Sequence, residues 1–156
     1  MAGLGLICVG RLKQTFYAEA CDHYAAKLTR LLPLETMVVR DGPGRLPTRE
    51  RVEREGRAIL ARLKPGDAAV VLDEGGQRLT SRRLADRVLE WIEAPGLRPV
   101  FVVGGPFGLS EAVKGAARAS VRLSDLTLPH ELARLVLLEQ LYRAGTILRH
   151  MPYHHD

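Results

Sequence analysis

The sequence predicts an α/β protein, a mostly parallel sheet with helices on both faces. Three observations carry that expectation. Runs such as Leu4–Val9, Ala68–Leu72 and Val100–Val103 are apolar throughout, as strands covered on both faces must be. The segments between them place apolar residues at helical spacing. The two kinds of stretch alternate along the chain, and parallel strands need a crossover of helix length between them.

Taken in order, Leu4 to Val9 is a strand closed by Gly10. Phe16 to Leu32 follows as a helix with Tyr17, Cys21, Tyr24, Leu28 and Leu31 on one stripe, and Pro33 ends it. Leu34 to Val39 is the second strand, and the Gly- and Pro-rich DGPGRLP after it is a loop. Thr48 can cap a helix over Val52, Ile59, Leu60 and Leu63. Its other face alternates Arg and Glu, a solvated mixed-sign surface in preference to an RNA-contacting one. Ala68 to Leu72 is the third strand, ending at Asp73, and EGGQ follows. Thr80 or Ser81 caps a helix through Leu84, Val88 and Trp91-Ile92. Val100 to Val103 is the fourth strand, Ser110 caps a short helix, and Val121 to Leu123 is a fifth strand. A long apolar helix then begins after Pro129. No repeat or long linker divides residues 1–156, so a single domain is expected.

The composition, 46% hydrophobic and 26% charged, belongs to a folded soluble protein. A net charge of +5 favours an anionic partner such as nucleic acid, although many small proteins are equally basic without one. Among 23 basic residues only Lys13, Lys27, Lys64 and Lys114 are lysines. That arginine excess suits phosphate recognition and equally suits coding bias. Cys8 and Cys21 both fall on apolar faces and read as buried thiols of a reducing compartment. The N-terminus lacks a signal-peptide pattern, and the last helix carries Glu131, Arg134, Glu139 and Arg143, which no membrane span tolerates. A cytoplasmic location is the expectation.

Ligands of such sheets sit beyond the carboxyl ends of the strands. Three of those ends are chemically unusual: Leu72-Asp73-Glu74-Gly75-Gly76, Gly104-Gly105-Pro106-Phe107-Gly108, and Leu123 to Pro129. GGPFG is neither G-x-G-x-x-G nor a Walker loop; it is a tight turn or a ligand loop. SDLTLP is a buried crossover by pattern, or else a backbone cradle for a flat, partly apolar ligand. Glu139 and Arg143 are spaced i, i+4 among Leu132, Leu135, Val136 and Tyr142, so a surface salt bridge and a pocket-facing Arg are both open. His150, His154 and His155 in the tail form a frayed terminus in preference to a zinc site, because Pro152 breaks a helical His-x-x-x-His geometry.

Taken together, LDEGG, VFVVGGPFGLS, LSDLTLPHELARLVLLEQLYRA and PYH, in that order and spacing, resemble the bacterial ribosomal RNA large subunit methyltransferase H family of SPOUT methyltransferases. VGRLK and EREG fit as well. The resemblance implies a C-terminal trefoil knot, a homodimer, S-adenosylmethionine as methyl donor and no metal. It further implies methylation of N3 of a pseudouridine in helix 69 of 23S rRNA on the assembled ribosome. Carried onto this sequence, cofactor contacts fall at Leu72, Asp73, Gly104, Gly105, Ser124, Asp125, Leu126, Thr127, Leu128 and Pro129. The substrate side falls at Glu139, Arg143, Tyr153 and His154. In that reading Arg143 stabilises the imide anion, Tyr153 stacks or donates a hydrogen bond, and His154, whose type titrates near pH 6.5, is a candidate base.

Three positions depart from the family pattern. Phe107 stands where members often carry a polar or acidic residue, Gly145 where bulkier ones are common, and His155-Asp156 where a basic residue usually follows PYH. Two other readings compete. One is a basic RNA-binding module without catalysis. The other is a nucleotide-dependent oxidoreductase, against which the missing G-x-G-x-x-G counts.

Overall fold

The computed structural model describes residues 3–156. Five strands form one parallel sheet: β1 (Leu4–Val9), β2 (Leu34–Val39), β3 (Asp67–Arg78), β4 (Arg98–Val103) and β5 (Ala119–Arg122), in spatial order β2-β1-β4-β3-β5. The helices between them are α1 (Thr15–Thr29), α2 (Thr48–Leu60), α3 (Ser81–Glu93) and α4 (Glu111–Ala116), and α5 (His130–Leu148) follows β5. Every neighbouring pair of strands is parallel.

The period-two alternation of the strands sorts the core into two layers. Leu4, Leu6 and Cys8 of β1, with Val70, Phe101, Val103 and Val121, meet α1, α3 and α5. Ile7, Val9, Val39, Ala69, Val71, Val100 and Val102 meet Ile59 of α2 and Val113 of α4. Moves across the sheet toward β2 therefore use the first face, and moves toward β5 use the second. All four crossovers share one hand, as the twist of parallel strands demands.

β1 and β2 have the bounds read from the sequence, β1 buried at every position and β2, at the sheet edge, fully burying only Val39. Thr80 caps α3, its hydroxyl accepting from the Arg83 N–H at 3.2 Å, and Ser110 caps α4 through the Val113 N–H at the same distance. Two expectations are corrected. Thr48 is the first residue of α2 and caps nothing; Pro47, with φ −53° and ψ 146°, holds the N-cap position without a side-chain bond. β3 does not end at Asp73 but runs to Arg78. The strand bulges after Leu72 and pairs again, so Leu72 and Gln77 both lie opposite Val121. A Cβ on Gly76 would sit 2.7 Å from the Val121 backbone, so only glycine permits this approach.

The long helix α5 is held at three places. Leu137, Leu138 and Leu141 are buried against α1 and α3, contributing about 1.5–3 kcal/mol each. Near its start, Glu131 accepts from the Lys13 N–H and Arg134 donates to the Gly10 carbonyl at 2.7 Å, which ties the loop after β1 to the helix. Near its end, Gly145 lets Leu31 approach to within 3.2 Å of where a Cβ would be. This close contact between α1 and α5 accounts for glycine at that position. His150, at φ 55°, then turns the chain into the tail.

Candidate functional site

The carboxyl ends of β3, β4 and β5 enclose a cavity of about 870 Å³, within the range of small-molecule sites. Its walls include Leu72, Asp73, Gly104, Gly105, Ser124, Leu126, Thr127, Leu128 and Pro129. Three stretches far apart in sequence thus converge as the strand ends predicted. Asp125 does not line the cavity. Its carboxylate turns to Arg78 and to Arg122 at 3.4 Å, and the Arg78 hydrogen bond holds it below the usual carboxylate range.

Local chemistry shapes these walls. A Cβ on Gly104 would meet the Gly108 backbone at 3.0 Å, so the β4 loop folds tightly only with glycine there. Asp73 accepts from the Gly75 N–H at 3.1 Å and pairs with Lys114 at 3.2 Å. The Ser124 hydroxyl accepts from the Leu126 N–H at 2.9 Å, bending the chain into the last wall. Among the described residues, the main-chain groups of Thr127 and Leu128 enter no hydrogen bond. Free backbone donors and acceptors beside apolar side chains suit a flat, partly apolar ligand. Leu126, 78% exposed, stands over this wall.

A second cluster gathers where the end of α5 meets the tail. Glu139 accepts from Arg143 at 2.5 Å and from the Tyr153 hydroxyl at 3.0 Å, and its other oxygen accepts from Gln140 at 2.7 Å. Ser81 of α3 extends the chain through Gln140 at 2.6 Å. The Arg143 guanidinium lies 4.8 Å from the Tyr153 ring centroid, and its Nη1 reaches His154 Nδ1 at 3.3 Å. His154 Nε2 faces Asp156 at 3.3 Å, so the tautomer protonated on Nε2 satisfies both contacts. Asp156 in turn pairs with Arg82.

Burial, with contacts to Tyr24 and Glu139, pushes the Tyr153 phenol well above its ordinary value, so it is a neutral donor here. The Glu139 hydrogen bond raises Arg143 further. The Arg143 Nε, shielded from solvent, meets no acceptor among the described residues. The pair read as either a surface bridge or a pocket Arg is thus a half-buried network.

The two clusters do not meet within one chain. From His130, on the cavity wall, to Arg143 the helix advances about 20 Å at ~1.5 Å per residue. Sequence reasoning missed Lys114, Arg122, His130 and Ala133 on the cavity wall. Only His130, next to Pro129 in the motif, carried a signal. Lys114 reaches Asp73 through a pairing of α4 with β3 that no local pattern encodes. Among the described residues no group of three or more His, Cys, Asp or Glu side chains is placed to hold a metal. Among the described residues no helix is long and apolar enough to cross a membrane.

A family model described as predicted SPOUT methyltransferase matches residues 3–154. The chain is similar to ribosomal RNA large subunit methyltransferase H of Maridesulfovibrio salexigens, 52% identical over 155 residues and 99% of each chain. The protein of that name from Solidesulfovibrio magneticus is 49% identical over 99% of this chain and 100% of its own. Among solved structures, a probable rRNA-methyltransferase from Porphyromonas gingivalis superposes with a TM-score of 0.54 at 17% identity, over 95% of this chain and 70% of that one. A probable methyltransferase from Bordetella pertussis Tohama I gives 0.54 at 16%, over 92% and 95%. These two structures share the fold.

Proposed function

Because the chain belongs to the SPOUT methyltransferases, and within them to the ribosomal RNA large subunit methyltransferase H family, we propose that it methylates 23S rRNA from S-adenosylmethionine. The target in this reading is N3 of a pseudouridine in helix 69 of the assembled ribosome. Residues 1–156 act as one domain, knotted through the loops at 104–108 and 123–129, in the cytoplasm. The observation that carries the proposal is the convergence of LDEGG, GGPFG and SDLTLP around one cavity of about 870 Å³.

Bound there, S-adenosylmethionine would supply an electrophilic methyl group. Leu72, Leu126 and Leu128 offer apolar walls, Gly104 and Gly105 line the cavity, and Thr127 and Leu128 offer free main-chain groups. Asp73 is placed to accept from hydroxyl groups. Transfer needs the acceptor nitrogen within about 3–3.5 Å of the methyl carbon, in line. Arg143 lies too far along α5 for that in one protomer. The homodimer resolves the distance: the tail and Arg143 of one protomer complete the cavity of its partner.

Arg143 then stabilises the anion that forms when N3 loses its proton. Glu139 orients Arg143, and Tyr153 packs under it. His154 Nδ1 is occupied by Arg143, so His154 takes the imide proton only if that contact opens. A near-normal single-turnover rate in His154→Ala would remove His154 as the base.

Mixing two inactive variants tests the composite site. Gly105→Val drives a side chain against Val9 and Glu55 beneath the loop and deforms this cavity wall, and Arg143→Ala removes the cation. After subunit exchange, heterodimers carry one intact composite site, and activity returns. No recovery, with exchange verified, would place both clusters in the same protomer.

A further inference from the structure

We propose that Phe107, backed by Arg51, is a stacking platform for an unpaired base of the RNA substrate, at the lip of the cofactor cavity. The proposal rests on the RNA-methyltransferase reading and deepens it by assigning a substrate contact outside the α5 and tail cluster.

Phe107 lines the cavity yet is 53% exposed. A single exposed apolar side chain is ordinary; Phe107 differs in standing on the cavity wall with a cation over its ring. One side is covered by a cation: the Arg51 guanidinium carbon lies 5.0 Å from the ring centroid. Arg51 is not free to swing, because its Nε donates to the Gly42 carbonyl at 3.2 Å. The Gly42 N–H in turn donates to Glu55 at 2.9 Å, and Glu55 is buried. A Cβ on Gly42 would meet the Arg51 backbone at 2.8 Å, so the loop after β2 lies flush on α2.

The same Glu55 carboxylate sits 3.4 Å from where a Cβ on Gly105 would be, beneath the loop that carries Phe107. The cation is therefore held in place, and the loop that bears the ring lies over the same Glu55, in one connected set of residues from α2 and the loops after β2 and β4. A rigid aromatic face, polarised by Arg on one side and open elsewhere, suits a flat nucleobase. It stands beside the cavity where the methyl group would be delivered. A base held there, the target or its neighbour, loses the freedom to restack in the RNA loop.

Ribosomes lacking the modification are the probe, with the wild type, Phe107→Ala and Phe107→Trp compared. Phe107→Ala should raise both the co-sedimentation Kd and the KM for ribosomes by about 5-fold to about 150-fold, one lost base stack. Phe107→Trp should restore both. The calorimetric Kd for S-adenosylmethionine alone should change by less than about two-fold, since stacking on RNA does not enter that measurement. Unchanged ribosome affinity in Phe107→Ala would overturn the platform while leaving the methyltransferase reading standing. So would a loss confined to cofactor affinity, or dissociation of the dimer, which would assign Phe107 to the cofactor or to the protomer interface. Wild-type protein that neither binds nor methylates ribosomes would sink both.

Discussion

Replacing Glu139 by Gln tests the half-buried network that joins α5 to the tail. The side chains of Glu139 and Arg143 are 18% and 25% exposed, so their 2.5 Å contact is only partly screened by water. One carboxylate oxygen accepts from both Arg143 and the Tyr153 hydroxyl. A hydrogen bond to a charged group is worth about 1.5–3 kcal/mol, and Gln keeps a neutral acceptor, so the net loss should be about 2 kcal/mol. In a chain of this length that lowers Tm by roughly 4–8 °C. The change also leaves Arg143 without its orienting partner, so kcat should fall at least about ten-fold, or ~1.4 kcal/mol of transition-state stabilisation. The Tyr153 phenol is raised by burial first and then by Tyr24 and Glu139. Removing the carboxylate should bring its ionisation to lower pH, visible as phenolate absorbance in a pH titration. Calorimetric melting, single-turnover kinetics and that titration together decide the matter. Unchanged Tm and kcat in Glu139→Gln would refute the idea that this network holds the reacting geometry.

Three further outcomes are expected. Gly76→Ala forces a Cβ to 2.7 Å from the Val121 backbone, costing about 1–3 kcal/mol, so Tm falls and cofactor binding weakens with the displaced β5 exit; both are read by melting and calorimetry. Gly104→Ala presses a Cβ to 3.0 Å from Gly108 and should raise the Kd for S-adenosylmethionine by about ten-fold, at ~1.4 kcal/mol, with little change in Tm. Asp67 concerns acid stability. Burial alone would raise its carboxyl, but Arg98 at 2.8 Å and the Lys64 N–H outweigh burial and hold it low. Its folded value lies below the unfolded one, about 3.9, so the stabilisation is complete above that pH and is lost as pH falls through the folded value. Asp67→Asn should therefore lower Tm at neutral pH and flatten its decline below about pH 4, measured by melting across pH.

Much of this architecture is legible because burial on both faces writes itself into the chain. Leu4–Val9, buried at every position, needed no tertiary information, and Ser110 announced its helix by capping chemistry, as did the Thr80-Ser81 pair, of which Thr80 is the cap. Reading failed where a contact distant in sequence overrode a local signal. Polar, Gly-rich EGGQ lies beyond the apolar run that marks β3, yet pairing with β5 at Val121 keeps it in the strand. Thr48 has a capping side chain, but Pro47 already fixes the backbone ahead of the helix. SDLTLP reads as a crossover by its own pattern and becomes a cavity wall only beside LDEGG and GGPFG. The gap between that wall and Arg143 is legible as helix rise, but the proposed closure by a second protomer would leave no periodicity in one chain.

The central claim is the reaction itself. Ribosomes lacking the modification, incubated with the protein and methyl-labelled S-adenosylmethionine, should take up label in 23S rRNA, and nucleoside analysis should find it on N3 of a pseudouridine from helix 69. No incorporation into 23S rRNA, from protein that binds both the ribosome and the cofactor, would contradict the account.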